Sequence, residues 1–301
     1  MAESVRGMKG LFGPMRLPFL VLSPVCVLIG LGVADWSRAE IDALRTVMVM
    51  IGAIGAHICV NAFNEYFDFK SGLDAMTRRT PFSGGSGALP SNPALKGWAL
   101  AVAISSALVV IAIGVYFVIS ISPVLLLFGV FGLFISIIYT PWLTRSPLLC
   151  LLAPGIGFGP LMVVGSEIVL SGNITWRGLV ASLVPLFLVS DLLLLNQFPD
   201  TEADEKIGRK HYPITIGKKA SSKIYLLFLV GAYLVIVLGV IAELLPPGTL
   251  LGLGSLPIAV FAGMTVIRQA ADTEKLVPAM GLNVIVNLIT PILVAVGFFI
   301  S

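Results

Sequence analysis

Apolar segments long enough to cross a lipid bilayer recur along the whole chain, and they constrain its fold more than any other feature. A transmembrane helix needs about 20 predominantly apolar residues. Only 12% of the 301 residues are charged, whereas ordinary soluble domains carry about 25%. We therefore predict an all-α polytopic membrane protein, a single domain over residues 1–301 forming one bundle of nine transmembrane helices, with spans at 17–34, 45–67, 97–119, 122–143, 147–170, 178–198, 223–243, 249–269 and 277–300.

The first segment, Leu17–Ala34, admits a second interpretation. Its last residues, Gly32, Val33 and Ala34, resemble a signal-peptide cleavage site. Eight further apolar segments follow it, however, and the segment is itself long enough to span the membrane. We expect it to remain in the protein as the first transmembrane helix.

Basic residues are distributed unevenly between the two sides that this layout defines. Cytoplasmic loops of membrane proteins are enriched in Lys and Arg. If the N-terminus is cytoplasmic, only Arg38, Arg45 and Arg177 of the 19 Lys and Arg residues lie on the far side. We therefore expect a cytoplasmic N-terminus, a C-terminus on the opposite side, and these basic residues facing the cytoplasm: Arg6, Lys9, Arg16, Lys70, Arg78, Arg79, Lys96, Arg145, Lys206, Arg209, Lys210, Lys218, Lys219, Lys223, Arg268 and Lys275.

Two motifs of amide and carboxylate side chains stand where apolar segments give way to charged loops. Residues four apart share one face of a helix, and this spacing joins Asn64 to Asp68. Amide and carboxylate oxygens suit Mg²⁺, which usually takes one or two carboxylates together with substrate phosphates. One motif alone is more simply a solvated helix end. Because the pattern recurs downstream, we predict a metal site with the ligands Asn64, Asp68, Asp74, Asn196, Asp200 and Asp204.

Each motif opens a long loop, at residues 70–96 and 200–222, and both loops fall on the predicted cytoplasmic side. Long loops in a compact bundle are usually functional or disordered. Asp74 lies six residues beyond Asp68, so we expect it to reach the site from a turn. The two motifs are four spans apart, which suggests pseudo-repeat halves at 1–145 and 146–275.

Cations flank both motifs, which favours a polyanionic substrate over a site that holds only a metal. Arg and Lys bind phosphate groups and often act jointly with Mg²⁺. The backbone of Ser83–Gly87 could add N–H groups for phosphate oxygens, although such a stretch is also typical of a flexible linker. The alternative for the cations is ordinary enrichment on the cytoplasmic side. They are Lys70, Arg78, Arg79, Lys206, Arg209 and Lys210.

Three stretches carry a resemblance to a known family. They read NEYFDFKSGLD at 64–74, TPFSGGSGALP at 80–90 and NQFPDTEADEKIGRKHYPITIGKK at 196–219. They resemble the UbiA superfamily of intramembrane aromatic prenyltransferases, as does the nine-span layout. Glu65 departs from that pattern, since many members carry Asp there. The Asp68–Asp74 spacing and the stretch GPLMVVG at 159–165 are similar to the menaquinone branch, which prenylates 1,4-dihydroxy-2-naphthoate.

This resemblance implies Mg²⁺-dependent transfer of a prenyl group from an isoprenoid diphosphate to an aromatic acceptor within the membrane. The catalytic residues, expected to hold two Mg²⁺ ions, are then Asn64, Asp68, Asp200 and Asp204. The side chains expected to bind the diphosphate on the cytoplasmic side are Arg16, Lys70, Arg78, Arg79, Tyr139, Arg145, Lys206, Arg209 and Lys210. The expected partners are a polyprenyl diphosphate, a small aromatic acceptor and the lipid bilayer.

Other assignments stay open at this point. The acceptor could instead be 4-hydroxybenzoate, homogentisate, chlorophyllide, haem or a glycerol-phosphate lipid. A secondary transporter could also use paired acidic motifs, but its polar site should lie near the bilayer midplane, whereas these motifs lie at the surface. The net charge of +3 gives no reason to expect nucleic acid, and two histidines argue against a His-rich metal centre.

Two features are expected to shape the cavity. Residues 154–160 carry two prolines and three glycines, which predicts a kinked fifth span that leaves room for a substrate or packs closely against a neighbour. The aromatic rings of Phe63, Tyr66 and Phe67 could stabilise a carbocation.

Asp191 is the most anomalous residue within a predicted span, because a carboxyl in the bilayer is costly and usually functional. It lies on the face opposite the acidic motif of its own helix. We expect Asn283 and Asn287, one turn apart in the last span, to be its hydrogen-bond partners. Glu167 and His57 are expected to be satisfied within the bundle.

Overall fold

The computed structural model describes residues 10–301, so Arg6 and Lys9 lie outside the described residues. Over the described range the regular structure is helical, as predicted. Short helices occur in the loops, and the nine principal helices are α1 Leu22–Trp36, α2 Ala43–Ser71, α3 Lys96–Ser120, α4 Leu125–Ile138, α5 Pro147–Ser171, α6 Trp176–Lys206, α7 Lys218–Ile241, α8 Leu256–Gln269 and α9 Thr273–Phe299.

Eight helical segments within residues 10–301 are long and apolar enough to cross a membrane, so the count of nine full spans is not confirmed. The predicted fourth span, 122–143, contains only the 14 residues of α4, which extend about 21 Å. The helix stops at Ile138, and Pro141 follows within a turn. A residue before proline is disfavoured in helical conformation, so the helix ends before the apolar segment does.

Helix α6 is the centre of the bundle. Its side chains Val184, Leu188 and Leu195 are fully buried, and it packs against α5, α7 and α9. At the periphery of the bundle, by contrast, large apolar side chains are exposed: Ile119 of α3 is 81% exposed and Leu127 of α4 is 70% exposed. Such exposed apolar surface is stable when lipid tails, rather than water, surround it.

Helix α5 contains the irregularity that its prolines and glycines predict, in the form of a π-helical stretch at Gly157–Val164. Its glycines also allow close contact with α6. A Cβ on Gly155 would lie 2.2 Å from the carbonyl oxygen of Leu186, and one on Gly159 would lie 2.4 Å from that of Ser182. Small residues at these two positions therefore let the backbones touch.

Helices α2 and α6 both end beside the same cavity. Residues near the C-terminus of α2 and residues near the C-terminus of α6 line this cavity. Helix α2 ends at Ser71, and Gly72 caps it: at a φ of 80°, the backbone N–H of Gly72 donates to the carbonyls of Asp68 and Phe69. Helix α6 extends to Lys206. The long loops that follow these two helices therefore start at one end of the bundle.

This arrangement predicts which positions share a side of the membrane. Single cysteines replacing Arg78 and Lys206 should react with a membrane-impermeant maleimide from one side, and a cysteine replacing Asn173 should react only from the other. Asn173 precedes α6 and Lys206 ends it, so about 45 Å of helix separates them. The native cysteines are buried and should give little background. Labelling of positions 78 and 206 from opposite sides would contradict the fold.

Candidate active site

The six predicted metal ligands, which come from two distant parts of the sequence, line one cavity of about 380 Å³. Helix α2 supplies Asn64 and Asp68, α6 supplies three more, and Asp74 comes from a short helix after the Gly72 turn. The structure therefore brings together Asn64, Asp68, Asp74, Asn196, Asp200 and Asp204.

Arg209 joins the two motifs. Its Nη2 atom donates to Asp68 Oδ1, and its Nη1 atom donates to Asp204 Oδ1 over 2.8 Å. The side chains of Arg209, Asp68 and Asp204 are only 13%, 9% and 3% exposed. Burial acts to lower the pKa of Arg209, but the two carboxylates outweigh it, so the pKa stays above its ordinary value. Arg209 is therefore a fixed positive charge between the motifs.

Asp204 has a second partner that the sequence did not indicate. His211 Nε2 lies 2.9 Å from Asp204 Oδ2, and both side chains are almost fully buried. Both carboxylate oxygens of Asp204 are therefore engaged by residues of the loop that follows α6. Nothing in the spacing of Asp204 and His211 could have revealed this contact, because it depends on how the loop folds back.

Three oxygens at the site are buried and have no hydrogen-bond partner among the described residues. They belong to Asp74 (Oδ2), Asn196 (Oδ1) and Asp200 (Oδ1). Burial, together with the charges of Glu65 and Asp68, raises the pKa of Asp74 to about 7. Buried oxygens without partners and crowded negative charge are what a bound cation would stabilise.

The donor set fits Mg²⁺ only if a substrate completes the coordination. Within residues 10–301 no group of three His, Cys, Asp or Glu side chains is close enough to hold an ion alone. Magnesium commonly takes one or two carboxylates plus phosphate oxygens and water. The unpartnered oxygens of Asp200, Asp74 and Asn196 are suited to that kind of site.

Asn64 is oriented by two contacts. Its Oδ1 accepts from Arg16 Nη2 over 3.0 Å, and its Nδ2 donates to Thr140 Oγ1 over 3.1 Å. An amide oxygen has two lone pairs, so the contact with Arg16 leaves one for another partner. Arg16 lines the cavity, as does Tyr139. Arg16, Tyr139 and Arg209 are thus the predicted diphosphate-binding residues that the structure places at the cavity.

The remaining predicted diphosphate-binding residues are exposed and do not line the cavity. Arg78 pairs instead with Glu274, at 3.0 Å between exposed side chains. Basic side chains at a membrane surface extend toward water and lipid headgroups, so this placement fits the general enrichment in cations. Their role toward a diphosphate stays a prediction for Lys70, Arg78, Arg79, Arg145, Lys206 and Lys210.

Below its polar mouth the cavity is apolar. Val49, Phe117 and Leu125 lie at its far end, and the stretch of α2 from Asn64 to Val49 covers about 22 Å. The expectation for Phe63, Tyr66 and Phe67 is wrong, since none of them lines the cavity. These rings pack on each other and beneath Lys96. The rings that face the cavity are Phe82, Phe117, Phe128, Tyr139 and Phe158.

Asp191 lies away from the cavity, as its helical position predicts, but its predicted partners are wrong. Neither of its carboxylate oxygens has a hydrogen-bond partner among the described residues. Asn283 accepts from Tyr225 instead, and Asn287 donates to the backbone of Asn283. Similar depth in two helices does not fix their rotation, so it could not predict the contact.

His57 has a partner within the bundle, as expected, but Glu167 is only half satisfied, because its Oε2 has no hydrogen-bond partner among the described residues. His57 Nδ1 lies 2.9 Å from Ser23 Oγ, and its ring lies edge-on to Phe158 and lines the cavity. Glu167 accepts from Thr175 Oγ1 over 2.6 Å. Glu167 lies near the end of α5 that is remote from the acidic motifs.

Comparison with known proteins identifies the class that this fold and site define. Residues 23–300 match the profile of the UbiA prenyltransferase family. The chain therefore belongs to the UbiA family and is a prenyltransferase.

Individual relatives agree with that assignment. The chain is 28% identical over 288 residues to a 1,4-dihydroxy-2-naphthoate octaprenyltransferase of Bacillus subtilis, covering 94% of this chain and 89% of the relative. In structure it is similar to a UbiA homologue from Aeropyrum pernix (TM-score 0.72, 17% identity, 93% and 97% coverage). It is also similar to an Archaeoglobus fulgidus homologue bound to DMAPP and Mg²⁺ (TM-score 0.57, 12% identity, 95% and 99% coverage).

The position of Arg209 predicts a cost in stability if it is lost. Arg209→Met should leave Asp68 and Asp204 buried without their cation and destabilise the metal-free protein by about 3–5 kcal/mol. The measurement is the thermal unfolding midpoint of the detergent-solubilised protein. Lys206→Met, which removes an exposed cation from the end of α6, should leave the midpoint unchanged. Equal midpoints for the two variants would show that Arg209 does not join the motifs energetically.

Proposed function

We propose that the protein transfers a polyprenyl group from a polyprenyl diphosphate to 1,4-dihydroxy-2-naphthoate, in a reaction that requires Mg²⁺. The observation that carries this proposal is the cavity itself. Its mouth combines the carboxylates of both motifs with Arg16 and Arg209, and its interior is apolar. An amphiphile with a charged diphosphate head and a long hydrocarbon tail matches both parts.

The cations at the mouth are suited to bind the diphosphate head. Arg209 now donates to Asp68 and Asp204, and it can redirect donors to phosphate oxygens once those acids bind a metal. These carboxylates would hold Mg²⁺, which would supply positive charge against the negative charge of the departing pyrophosphate. Following the predicted roles, we assign two ions to this cluster, with ligands drawn from Asn64, Asp68, Asp74, Asn196, Asp200 and Asp204.

The apolar interior is suited to the prenyl tail and to the reaction's cationic character. It excludes water that would otherwise capture an allylic carbocation. Phe82 and Phe158 line the cavity, and aromatic faces stabilise cations. The charge-stabilising groups thus lie at the mouth, while the carbon skeleton is held below them.

The acceptor is assigned from the naphthoate relative, whose similarity extends over 94% of this chain. Other aromatic acceptors would fit the same mechanism. A secondary transporter is less well supported, because the polar site of a transporter is expected near the bilayer midplane, whereas the acidic motifs lie at one end of the bundle. Asp191, the carboxyl deepest in α6, does not line the cavity.

We further propose that the mouth faces the cytoplasm, with the N-terminus on the same side and the C-terminus opposite. The support is the distribution of Lys and Arg, of which only Arg38, Arg45 and Arg177 fall on the other side. The substrates would then meet at the cytoplasmic surface, with the head in water and the tail in the bilayer.

The metal cluster predicts a specific effect of Asp200→Asn. Among residues 10–301, Asp200 has one unpartnered oxygen, and its other oxygen accepts from Gly84 N–H, so an amide should preserve the fold. Losing its charge should reduce turnover at least about a hundredfold and raise the Mg²⁺ concentration needed for half-maximal rate. EDTA should abolish wild-type activity, and Mg²⁺ or Mn²⁺ should restore it. The exposed control Glu202→Gln should behave as wild type; near-normal turnover of Asp200→Asn would contradict the metal site.

A direct assay tests the reaction. Purified protein in lipid nanodiscs should convert labelled octaprenyl diphosphate and 1,4-dihydroxy-2-naphthoate, with Mg²⁺, to a prenylated product that mass spectrometry identifies. Parallel reactions with 4-hydroxybenzoate and homogentisate test the choice of acceptor. Product only from another acceptor would overturn the naphthoate assignment, and no product from any acceptor would overturn the proposed reaction.

A further inference from the structure

Glu65 is buried beside the mouth, where Arg16 and Ser86 donate to its carboxylate. Glu65 is only 1% exposed. Oε1 accepts from Ser86 N–H over 2.7 Å and from Arg16 Nε over 2.9 Å, and Oε2 accepts from Ser86 Oγ over 2.7 Å. Both oxygens of this carboxylate are therefore occupied, and its charge is balanced by Arg16.

The first partner, Arg16, is held in an unusual conformation. It has a φ of 50°, a left-handed value that is costly for a residue with a side chain. It lies between two short 3₁₀ turns, and its side chain is fixed by Glu65 and by Asn64. Two of its nitrogens are thus engaged by α2, which sets the position of the guanidinium at the mouth.

The second partner, Ser86, belongs to the glycine-rich loop Ser83–Gly87, which reaches across the mouth. At its other end Gly84 N–H donates to Asp200 Oδ2 over 3.2 Å. Gly85 has a φ of 74°, and a Cβ there would lie 2.9 Å from Asp74 Oδ1. The loop is therefore tied to α2 through Glu65 and to α6 through Asp200, and glycine lets its backbone approach the acids.

We propose that Glu65 is a positioning residue that holds Arg16 and the loop Ser83–Gly87 at the mouth, and that it is not a metal ligand. This inference rests on the proposed function, because its consequence is a prearranged set of donors for the diphosphate head. Glu65 and Asp68 are both acids of the first motif, but the structure separates their tasks. Glu65 organises donors, whereas Asp68 faces Arg209 and the cavity.

A structural measurement tests, without any substrate, whether Glu65 holds the loop Ser83–Gly87. Arg79 packs on the loop, since a Cβ on Gly87 would lie 1.9 Å from its Nη1 atom. Glu65→Gln should free the loop and speed limited tryptic cleavage after Arg78 and Arg79 at least about tenfold, since charge-assisted hydrogen bonds are lost. Cleavage after exposed Lys210 serves as the internal reference. The control Glu205→Gln, an exposed acid on α6, should leave the cleavage pattern unchanged.

Kinetics separate positioning from metal binding. Glu65→Gln should raise the KM for the prenyl diphosphate about tenfold and leave the Mg²⁺ concentration for half-maximal rate within about twofold of wild type. Ser86→Ala should change both the cleavage rate and the KM in the same direction but by less. Glu65→Asp should recover part of the loss, because a shorter carboxylate can still accept from Arg16.

A tenfold or larger rise in the Mg²⁺ requirement of Glu65→Gln, with no effect of Ser86→Ala, would make Glu65 a metal ligand and overturn the inference. Unchanged tryptic cleavage in Glu65→Gln would also overturn it. If the wild-type protein transfers no prenyl group, the proposed function fails, while the cleavage assay still decides whether Glu65 holds the loop.

Discussion

The contact on which the site depends is that of Arg209 with Asp68 and Asp204. These acids end two helices, α2 and α6, that are more than a hundred residues apart in the chain. Buried like charges repel strongly at low dielectric, so two acidic helix ends would not approach one another without a cation. Arg209 supplies that cation from the loop after α6. The meeting of the motifs is therefore a property of the folded protein before any metal arrives.

The bilayer explains the rest of the arrangement. Because lipid covers the outside of the bundle, apolar side chains can line the cavity as well as the surface, and polar groups are concentrated at one end. There the glycine-rich loop closes over the acids, and Glu65 and Asp200 accept its N–H groups. Separate parts of one continuous space thus suit a charged head and an apolar tail, which is the requirement for the proposed prenyl transfer at a membrane surface.

Sequence patterns predicted the features that depend on local spacing. Asn64 and Asp68 share a helical face because they are four apart, and the repeated motif indicated that distant acids act together. The tasks of Glu65 and His211 could not be predicted, because their partners lie in loops whose path depends on tertiary contacts. The partners proposed for Asp191 were wrong for a different reason: hydropathy gives depth in the membrane but not the rotation of a helix.

These acids are expected to bind a metal tightly only together with a diphosphate. Titration of Mn²⁺, followed by the electron paramagnetic resonance signal of the free ion, tests it directly. We expect Mn²⁺ to bind at least about tenfold more tightly when a prenyl diphosphate is present, a typical size for coupling between two ligands. The coupling should vanish when Asp200 is replaced by Asn. Equal Mn²⁺ affinity with and without the diphosphate, or full coupling in that variant, would contradict the account.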